Sequence, residues 1–182
     1  MKFITGNSEK FNEVKEFLPE LQQLDIDLPE IQELDAKKVI DAKLKEAQKH
    51  VEKGEEIIIE DTSLYIREMN LLPGTFIKWF LESLGVEGIW NIGKHLSSKE
   101  AYVKTIIGYI DKDANMHFFE GVVEGHIVKP RGVGFGWNPL FQVKGLDKNF
   151  IEMTQKEKET FSMRAKAIKK LKLFLQNRQG VN

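Results

Sequence analysis

The pattern of apolar and polar positions along the chain predicts strands and helices in alternation. Short apolar runs at residues 2–5 and 21–26 predict strands. Residues 36–51 predict the clearest helix, because their apolar side chains recur on one stripe. Residues 101–111 and 116–128 alternate in strand fashion on either side of a turn, which predicts a hairpin. This order of elements predicts an α/β fold.

Glycine and proline positions predict where further helices begin and end. A helix is expected from about Phe11 until Pro19. A turn at Pro73-Gly74 opens a strongly apolar helix that ends near Gly85, and a short helix follows at residues 87–96.

Two adjacent acids follow the most buried strand of the pattern. The β-branched run at residues 57–59 predicts a strand buried on both faces, and it ends in Glu60 and Asp61. In open α/β sheets ligands bind outside the strand ends, and Mg²⁺ takes oxygen ligands, so these acids are the first candidates for a metal site. The alternative is a turn or a helix cap, because Thr62 and Ser63 come next.

The junction of the first strand and helix is a candidate phosphate site. The strand breaks at Gly6 and Asn7. Backbone N–H groups between Thr5 and Lys10 would then point into the space before the helix, where anions are favoured. Ordinary capping by Ser8 explains the same residues without a phosphate, and the glycines of a Walker loop or a dinucleotide fingerprint are missing.

Three further charged residues stand at unusual places in the pattern. Glu30 is a third acid near a strand end, and Pro29 fixes the approach of the chain to it. Lys43 projects from the apolar stripe of the clearest helix, towards the core or a cleft, unless it snorkels to the edge of that stripe. Lys78 is the only base in the apolar helix after Gly74, so it must reach water or meet an anion.

Residues 130–141 place two exposed-looking aromatic residues, Phe135 and Trp137, among glycines and prolines. A flexible backbone would let such a ring stack on a flat ligand, a contact worth roughly 1–3 kcal/mol for a nucleobase. The alternative is a plain loop whose rings fill the core. Further along, Ser162 and Arg164 could hydrogen-bond a flat polar ligand, or Ser162 could only cap a helix.

Composition narrows the class of protein. With 182 residues and 41% hydrophobic content, we expect one domain over residues 1–182, with two lobes and no separable linker. A net charge of -1 provides no basic field, so neither a nucleic acid nor a membrane is expected as a partner. The absence of cysteine excludes disulfides and thiolate sites and suits a reducing cytosol. No segment has the form of a signal peptide or a membrane span, so a cytoplasmic location is expected.

Taken together and in order, these motifs resemble the inosine triphosphate pyrophosphatase family, also called HAM1-like or noncanonical purine NTP pyrophosphatases. The residues that carry the resemblance span nearly the whole chain: Thr5-Gly6-Asn7-x-x-Lys10 with Glu13, Leu28-Pro29-Glu30, Glu60-Asp61-Thr62, Pro73-Gly74, Lys78-Trp79-Phe80, Phe135-Gly136-Trp137-Asn138-Pro139 and Ser162-x-Arg164. The resemblance implies an elongated α/β fold with a long mixed central sheet flanked by helices, an active-site cleft between two lobes, and a homodimer. It also implies Mg²⁺-dependent hydrolysis of a nucleoside triphosphate substrate, ITP, dITP or XTP, to the monophosphate and pyrophosphate.

The resemblance also implies a role for each site residue. Glu30 and Asp61, with Glu60 in support, would hold Mg²⁺. The catalytic residues would be Asp61, Glu30 and Lys10; the phosphate-binding residues Thr5, Gly6, Asn7, Lys10, Lys43, Thr62 and Lys78; and the base-binding residues Phe135, Gly136, Trp137, Asn138, Lys158, Ser162, Met163 and Arg164.

The chain departs from the family pattern at three positions. Asn138 stands where the family usually has Asp, Met163 where it has His, and Ser63 where it has Gly or Cys. Asn138 and Met163 fall in the base-binding set, whereas the metal and phosphate positions match. We therefore expect phosphate chemistry to be retained and base selectivity to be altered or relaxed. The alternative is a catalytically silent nucleotide-binding sensor or scaffold with the same fold. A third interpretation, a structural domain without a ligand, would require that all the candidate site residues only cap helices, form turns, snorkel or fill the core.

Overall fold

The alternating pattern of apolar segments folds into a mixed sheet with helices packed against it. The computed structural model describes residues 1–179. The strands are β1 Lys2–Ile4, β2 Gln22–Leu24, β3 Ile57–Ile66, β4 Pro73–Gly74, β5 Glu100–Ile110, β6 Met116–Ile127 and β7 Phe141–Val143. The helices are α1 Ser8–Lys15, α2 Ala36–Ala47, α3 Ile77–Gly93, α4 Gln155–Phe161 and α5 Met163–Gln179, with short 3-10 turns at Gln48–His50, Arg67–Met69 and Asn138–Leu140.

Within residues 1–179 the strands form one seven-stranded sheet, in the order β2-β1-β3-β5-β6-β7, with β4 beside β3. β1 is parallel to both neighbours, and Lys2 lies opposite Gln22 on one side and Ile57 on the other. β4 is antiparallel to β3, and β7 is antiparallel to β6. The predicted α/β class, the mixed sheet and the hairpin of β5 and β6 are confirmed.

The chain divides into two compact units. Among the described residues, unit 1 comprises Met1–Asp61, Thr105–Gly121 and 164–179, and unit 2 comprises Thr62–Lys104 and Val122–Met163.

The core of unit 1 covers both faces of β3, because successive side chains of a strand point to opposite faces. Ile57 and Ile59 pack with Ile40 of α2 on one face. On the other face, Ile58 packs with Val14 of α1 and with the apolar stripe of α5.

The core of unit 2 is built around aromatic rings. Trp137 lies edge-on to Phe141 and to Phe150, with ring centroids 5.9 and 5.8 Å apart. Leu64 of β3 and Ile89 of α3 complete the same cluster.

One strand prediction was wrong, and a short strand was missed. β3 does not stop before Glu60 but continues to Ile66, so neither the strand-end nor the cap interpretation of the two acids holds. The strand can continue because basic side chains of neighbouring helices neutralise both acids. Pro73 and Gly74 form the short strand β4, in which Gly74 pairs with Leu64, and the predicted turn is confirmed by the hydrogen bond from the Phe76 backbone N–H to the Pro73 carbonyl oxygen at 3.0 Å.

Helix boundaries differ from the predictions by a few residues. α2 ends at Ala47 and passes into a 3-10 turn, and α3 ends at Gly93. The predicted break at Gly85 is confirmed as a kink inside α3, where the φ angle of +62° departs from helical values. α4 begins with a capping box, in which Thr154 and Glu157 each accept a hydrogen bond from the other's backbone N–H. In residues 1–179, no helix has the length and apolar character to cross a membrane.

A buried carboxylate joins the β5–β6 turn to the last turn of α5. Asp111 is 2% exposed and accepts hydrogen bonds from the backbone N–H groups of Asp113 and Asn115, at 3.0 and 2.9 Å. Its second oxygen lies 2.9 Å from His117 Nε2 and 2.8 Å from Arg178 Nη1. Burial by itself would raise the pKa of Asp111, but the hydrogen bonds from His117, Asn115 and Asp113 outweigh burial and hold this pKa well below its usual range.

We expect Asp111→Asn to lower the free energy of unfolding by about 2–3 kcal/mol near neutral pH, because a buried network loses its charged acceptor. Since the pKa of Asp111 is lower in the folded chain than its ordinary value of about 3.9, the ionised group stabilises the fold above that pH, and this contribution is lost as the pH falls. Urea denaturation should therefore show the difference from wild type shrinking from about pH 6 to about pH 3. A constant difference, or an equal effect of the exposed Asp113→Asn, would contradict this role.

Candidate functional site

The N-terminus of α1 follows β1 closely, and its cap is Asn7 instead of the expected Ser8. Asn7 Oδ1 accepts a hydrogen bond from the Lys10 backbone N–H at 2.9 Å, and Ser8 is already helical. Thr5 Oγ1 accepts one from the Asn7 backbone N–H at 3.1 Å. The backbone N–H groups of Asn7 and Lys10, which were expected to face an anion, therefore already donate to side chains of this turn. The Thr5 hydroxyl, the Asn7 side-chain amide and the Lys10 ammonium are the groups that can donate to a phosphate here.

Glu60 and Asp61 leave β3 on opposite faces of the sheet, because side chains alternate along a strand. Glu60 shares its face with Ile58, which packs on α1 and α5. Asp61 shares its face with Ile59, which packs on α2. Each acid therefore meets basic residues from different helices.

Glu60 is buried and bound by two basic residues. Arg164, in the first turn of α5, donates to both carboxylate oxygens, from Nε at 2.5 Å and from Nη2 at 3.0 Å. Lys10 Nζ lies 3.2 Å from Oε1 of the same carboxylate, and Arg164 Nη1 also donates to Glu13 of α1. Burial by itself would raise the pKa of Glu60, but the charges of Arg164 and Lys10 outweigh burial and lower this pKa to about 2. Glu60 is therefore ionised near neutral pH and fixes the Arg164 guanidinium.

Asp61 and Glu30 meet at one ammonium group. Lys43 is only 8% exposed on the inner face of α2, so it does not snorkel to the surface. Its Nζ donates to Glu30 Oε1 and lies 3.6 Å from Asp61 Oδ1. Burial raises the pKa of Asp61 against the attraction of Lys43 and Lys10, and the nearby carboxylates of Glu30 and Glu60 add to the rise.

The structure thus brings together two of the three acids predicted to hold a metal. Glu30 and Asp61 both contact Lys43, whereas Glu60 lies on the other face of β3 and binds Arg164. Across residues 1–179, no group of three His, Asp or Glu side chains is arranged to hold a metal ion. A pair of carboxylates is the donor set of a hard cation that takes its other ligands from water and phosphate oxygens.

The remaining phosphate-binding candidates lie in unit 2. Thr62 follows Asp61 on β3 and is half-buried. Lys78 lies in the first turn of α3 and is exposed, with its ammonium 5.5 Å from the centroid of the Trp79 ring. The expectation that this lysine reaches water agrees with its exposure.

The two aromatic base-binding candidates have different environments. Trp137 is 7% exposed and fills the core of unit 2, so the expectation that it is exposed was wrong. Phe135 is 51% exposed, which leaves its ring accessible for stacking. Gly136 between them has a φ angle of +59°, a conformation that glycine adopts without strain.

The other base-binding candidates are divided between the two units. Asn138 and Lys158 are half-buried in unit 2, and Ser162 is buried where α4 ends. Met163 packs into the aromatic core of unit 2, as its apolar side chain favours. Arg164 belongs to unit 1, where Glu60 and Glu13 bind it.

Sequence reasoning assigned no role to Glu13, although it is part of the ion-pair cluster. Glu13 and Lys10 are three positions apart on α1 and share one helix face. Glu13 binds Arg164 and Lys10 binds Glu60, so this face of α1 presents one acid and one base to the cluster. The helical spacing was a signal in the sequence, but the partner residues are too distant in the chain to be read from it.

Comparison with known proteins gives consistent matches over nearly the full chain. A profile of the Ham1 family matches residues 1–174. The chain is 40% identical to the inosine triphosphate pyrophosphatase of Schizosaccharomyces pombe, over 98% of this chain and 96% of that protein. It is 36% identical to the inosine triphosphate pyrophosphatase of Saccharomyces cerevisiae, over 95% of this chain and 94% of that protein.

Solved structures show the same fold. The Ham1 protein of Staphylococcus aureus matches with a TM-score of 0.75 at 23% identity, covering 98% of this chain and 100% of that one. A HAM1 protein from Coxiella burnetii matches with a TM-score of 0.76 at 23% identity, covering 97% of this chain and 99% of that one.

We expect Glu60→Gln to lower the free energy of unfolding by about 3–5 kcal/mol, because Arg164 would keep its charge in a buried site and lose its main partner. The matched control is Glu124→Gln, which removes the acid of the exposed ion pair between Glu124 and Arg67 and should cost about 0–1 kcal/mol. Urea denaturation of both variants near neutral pH makes the comparison. Similar losses for the two variants would show that Glu60 does not hold this cluster together.

Proposed function

The chain belongs to the Ham1 family, and we propose that it hydrolyses noncanonical purine nucleoside triphosphates, ITP, dITP and XTP, to the monophosphate and pyrophosphate. The extended likeness to inosine triphosphate pyrophosphatases supports this activity. The structural observation that carries the proposal is the convergence of Glu30 and Asp61, distant in the chain, on the Lys43 ammonium.

Unit 1 has the charges that a triphosphate requires. Lys10 and Lys43 each bind an acid of β3 in this structure, so their ammonium groups are held close to the carboxylates. An arriving phosphate chain would compete for both ammonium groups and for the Thr5 hydroxyl and the Asn7 amide. The exposed Lys78 would neutralise further phosphate charge, as the family resemblance implies.

Glu30 and Asp61 are the residues that would hold Mg²⁺. Two carboxylates that already share one cation, with burial raising the pKa of Asp61, gain stability when a second cation approaches. Mg²⁺ is commonly held by one or two carboxylates together with substrate phosphates, and this pair fits that donor set. When bound, the ion would offset charge on the triphosphate and on the departing pyrophosphate.

The reaction assigned to this site is attack of water on the α-phosphorus. Asp61 or Glu30 would accept a hydrogen bond from the water, orient its oxygen in line with the bond to the β-phosphate, and take up the proton that the water loses. The new P–O bond forms as the bond between the α-phosphorus and the bridging oxygen breaks, and pyrophosphate leaves. Lys10 and Lys43 would stabilise the charge that develops on the leaving group.

Base selection is assigned to Arg164 and to the candidates of unit 2. The guanidinium of Arg164 has more N–H groups than the three that bind Glu60 and Glu13, so it could also donate to a purine 6-keto oxygen. A site that offers a permanent donor there disfavours ATP, whose amino group leaves that donor unpaired at a cost of about 1–3 kcal/mol. Magnesium dependence, a homodimer and a cytoplasmic location are proposed with this function on the strength of the family resemblance.

We expect wild-type protein to release pyrophosphate from ITP, XTP and dITP in the presence of Mg²⁺, and Asp61→Asn to lower kcat by at least about 100-fold, because it loses a charged ligand and water-orienting group. The measurement is pyrophosphate release with and without Mg²⁺. Asp113→Asn, an exposed acid in the β5–β6 turn, is the matched control and should retain activity. Binding of ITP by the wild type without release would instead support a nucleotide sensor.

We expect Asn138→Asp to change the ranking of ITP, XTP, dITP, dUTP and ATP, because it restores the acid usual in the family at a base-binding position. A shift of roughly tenfold in ratios of kcat/KM would indicate a contact with the base, whereas a large rise in kcat for every nucleotide would indicate proton transfer. Asn91→Asp, at an exposed position of α3, serves as the control. An unchanged ranking and rate would remove Asn138 from the site.

A further inference from the structure

The segment that carries Phe135 to Asn138 has little internal rigidity. We call residues 131–139 the aromatic loop. Gly132 and Gly136 have φ angles of +78° and +59°, and Gly134 lies between them. Val133 is fully exposed. Glycine restricts the backbone least of all residues, so the shape of this loop depends on what holds its ends.

One buried side chain holds both ends of the aromatic loop. Asn149 is 0% exposed, and its Nδ2 donates to the carbonyl oxygen of Arg131 at 3.0 Å and to that of Pro139 at 3.1 Å. Its Oδ1 accepts from the backbone N–H groups of Ile151 and Glu152, each at 3.0 Å. Every hydrogen-bonding position of this amide side chain is thus used: its N–H groups donate to carbonyl oxygens of the loop, and its oxygen accepts from the turn at residues 149–152.

The two residues whose N–H groups Asn149 binds also support the loop. A Cβ atom added at Gly134 would lie 1.9 Å from Ile151 Cδ1, and one added at Gly132 would lie 3.0 Å from Ile151 Cγ2, so Ile151 packs directly against this backbone. Glu152 Oε2 binds Arg131 Nη2 at 2.9 Å and accepts from the Asn149 backbone N–H at 2.8 Å. These supports of the loop therefore all depend on the 149–152 turn that Asn149 organises.

We propose that Asn149 is a positioning residue for base recognition: it acts through the aromatic loop and sets the placement of Phe135 to Asn138, without itself contacting the nucleotide. The proposal rests on the proposed function, which assigns these residues to the base. Without Asn149 the loop would keep the backbone hydrogen bond from Arg131 N–H to the Pro139 carbonyl oxygen and the buried Trp137 ring, but its glycine-rich part would sample more conformations. Binding would then have to order it. Discrimination between bases should suffer more than phosphate chemistry, because Glu30, Asp61, Lys10 and Lys43, which are assigned to the metal and the phosphates, belong to unit 1.

The test is Asn149→Asp, which preserves the shape and the acceptor towards Ile151 and Glu152 but removes both donors to the loop. A second variant, Asn149→Ser, is uncharged, can still accept from the turn, and is too short to hold both carbonyl groups. We expect both variants to lower the ITP-to-ATP ratio of kcat/KM by roughly tenfold, mainly through a higher KM for ITP, with kcat within about threefold of wild type. Trypsin should also cleave faster after Arg131, measured by mass spectrometry, because the freed loop reaches the protease more often.

The matched control is Asp111→Asn, which disrupts a buried hydrogen-bonding hub of unit 1 and should destabilise the protein without changing the nucleotide ratio. If the wild type is active and both Asn149 variants retain its ITP-to-ATP ratio, the positioning role is overturned while the proposed function stands. An equal fall of the ratio in Asp111→Asn would also overturn it, since general destabilisation would then explain the effect. If the wild type releases no pyrophosphate from any nucleotide, the proposed function fails and the inference fails with it.

Discussion

The structure depends on neutralising two adjacent acids in the middle of a buried strand. An unpaired charge in such a position would cost several kcal/mol, so each acid requires a basic partner on its own face of the sheet. Arg164 and Lys10 form ion pairs with Glu60 on one face, and Lys43 forms an ion pair with Asp61 on the other. These basic residues come from α1, α2 and α5, so the same ion pairs that permit the strand also fix the position of three helices around it.

The residues assigned to phosphate hydrolysis and most of those assigned to base selection belong to different units. Lys10, Lys43, Glu30 and Asp61 all belong to unit 1, whose core covers both faces of the strand. The departures from the family pattern, at Ser63, Asn138 and Met163, all belong to unit 2. A chain can therefore vary its base preference through unit 2 without disturbing the buried charges on which the phosphate chemistry and the stability of unit 1 depend.

Periodicity and local chemistry predicted much of this from the sequence. The stripe of α2 predicted that Lys43 faces inward, and the alternating segments predicted the β5–β6 hairpin. The features that could not be predicted depend on contacts between residues that are distant in the chain. Glu60 and Asp61 read as a strand end because their basic partners are remote in the chain. Nothing near Trp137 in the sequence shows that Phe141 and Phe150 enclose its ring, and Asn149 gives no local sign that it binds Arg131 and Pro139.

The arginines at the two ends of α5 have a mechanical consequence. Arg164 is bound to Glu60 and Glu13 near the first turn, and Arg178 is bound to Asp111 near the last. The buried Ala167, Ile168 and Leu171 hold the middle of this helix against the core, so with both ends anchored as well it behaves as a strut. Losing the far anchor would therefore shorten the ordered part of the strut from its last turn, while the ion pairs at the first turn keep the guanidinium in register with the strand.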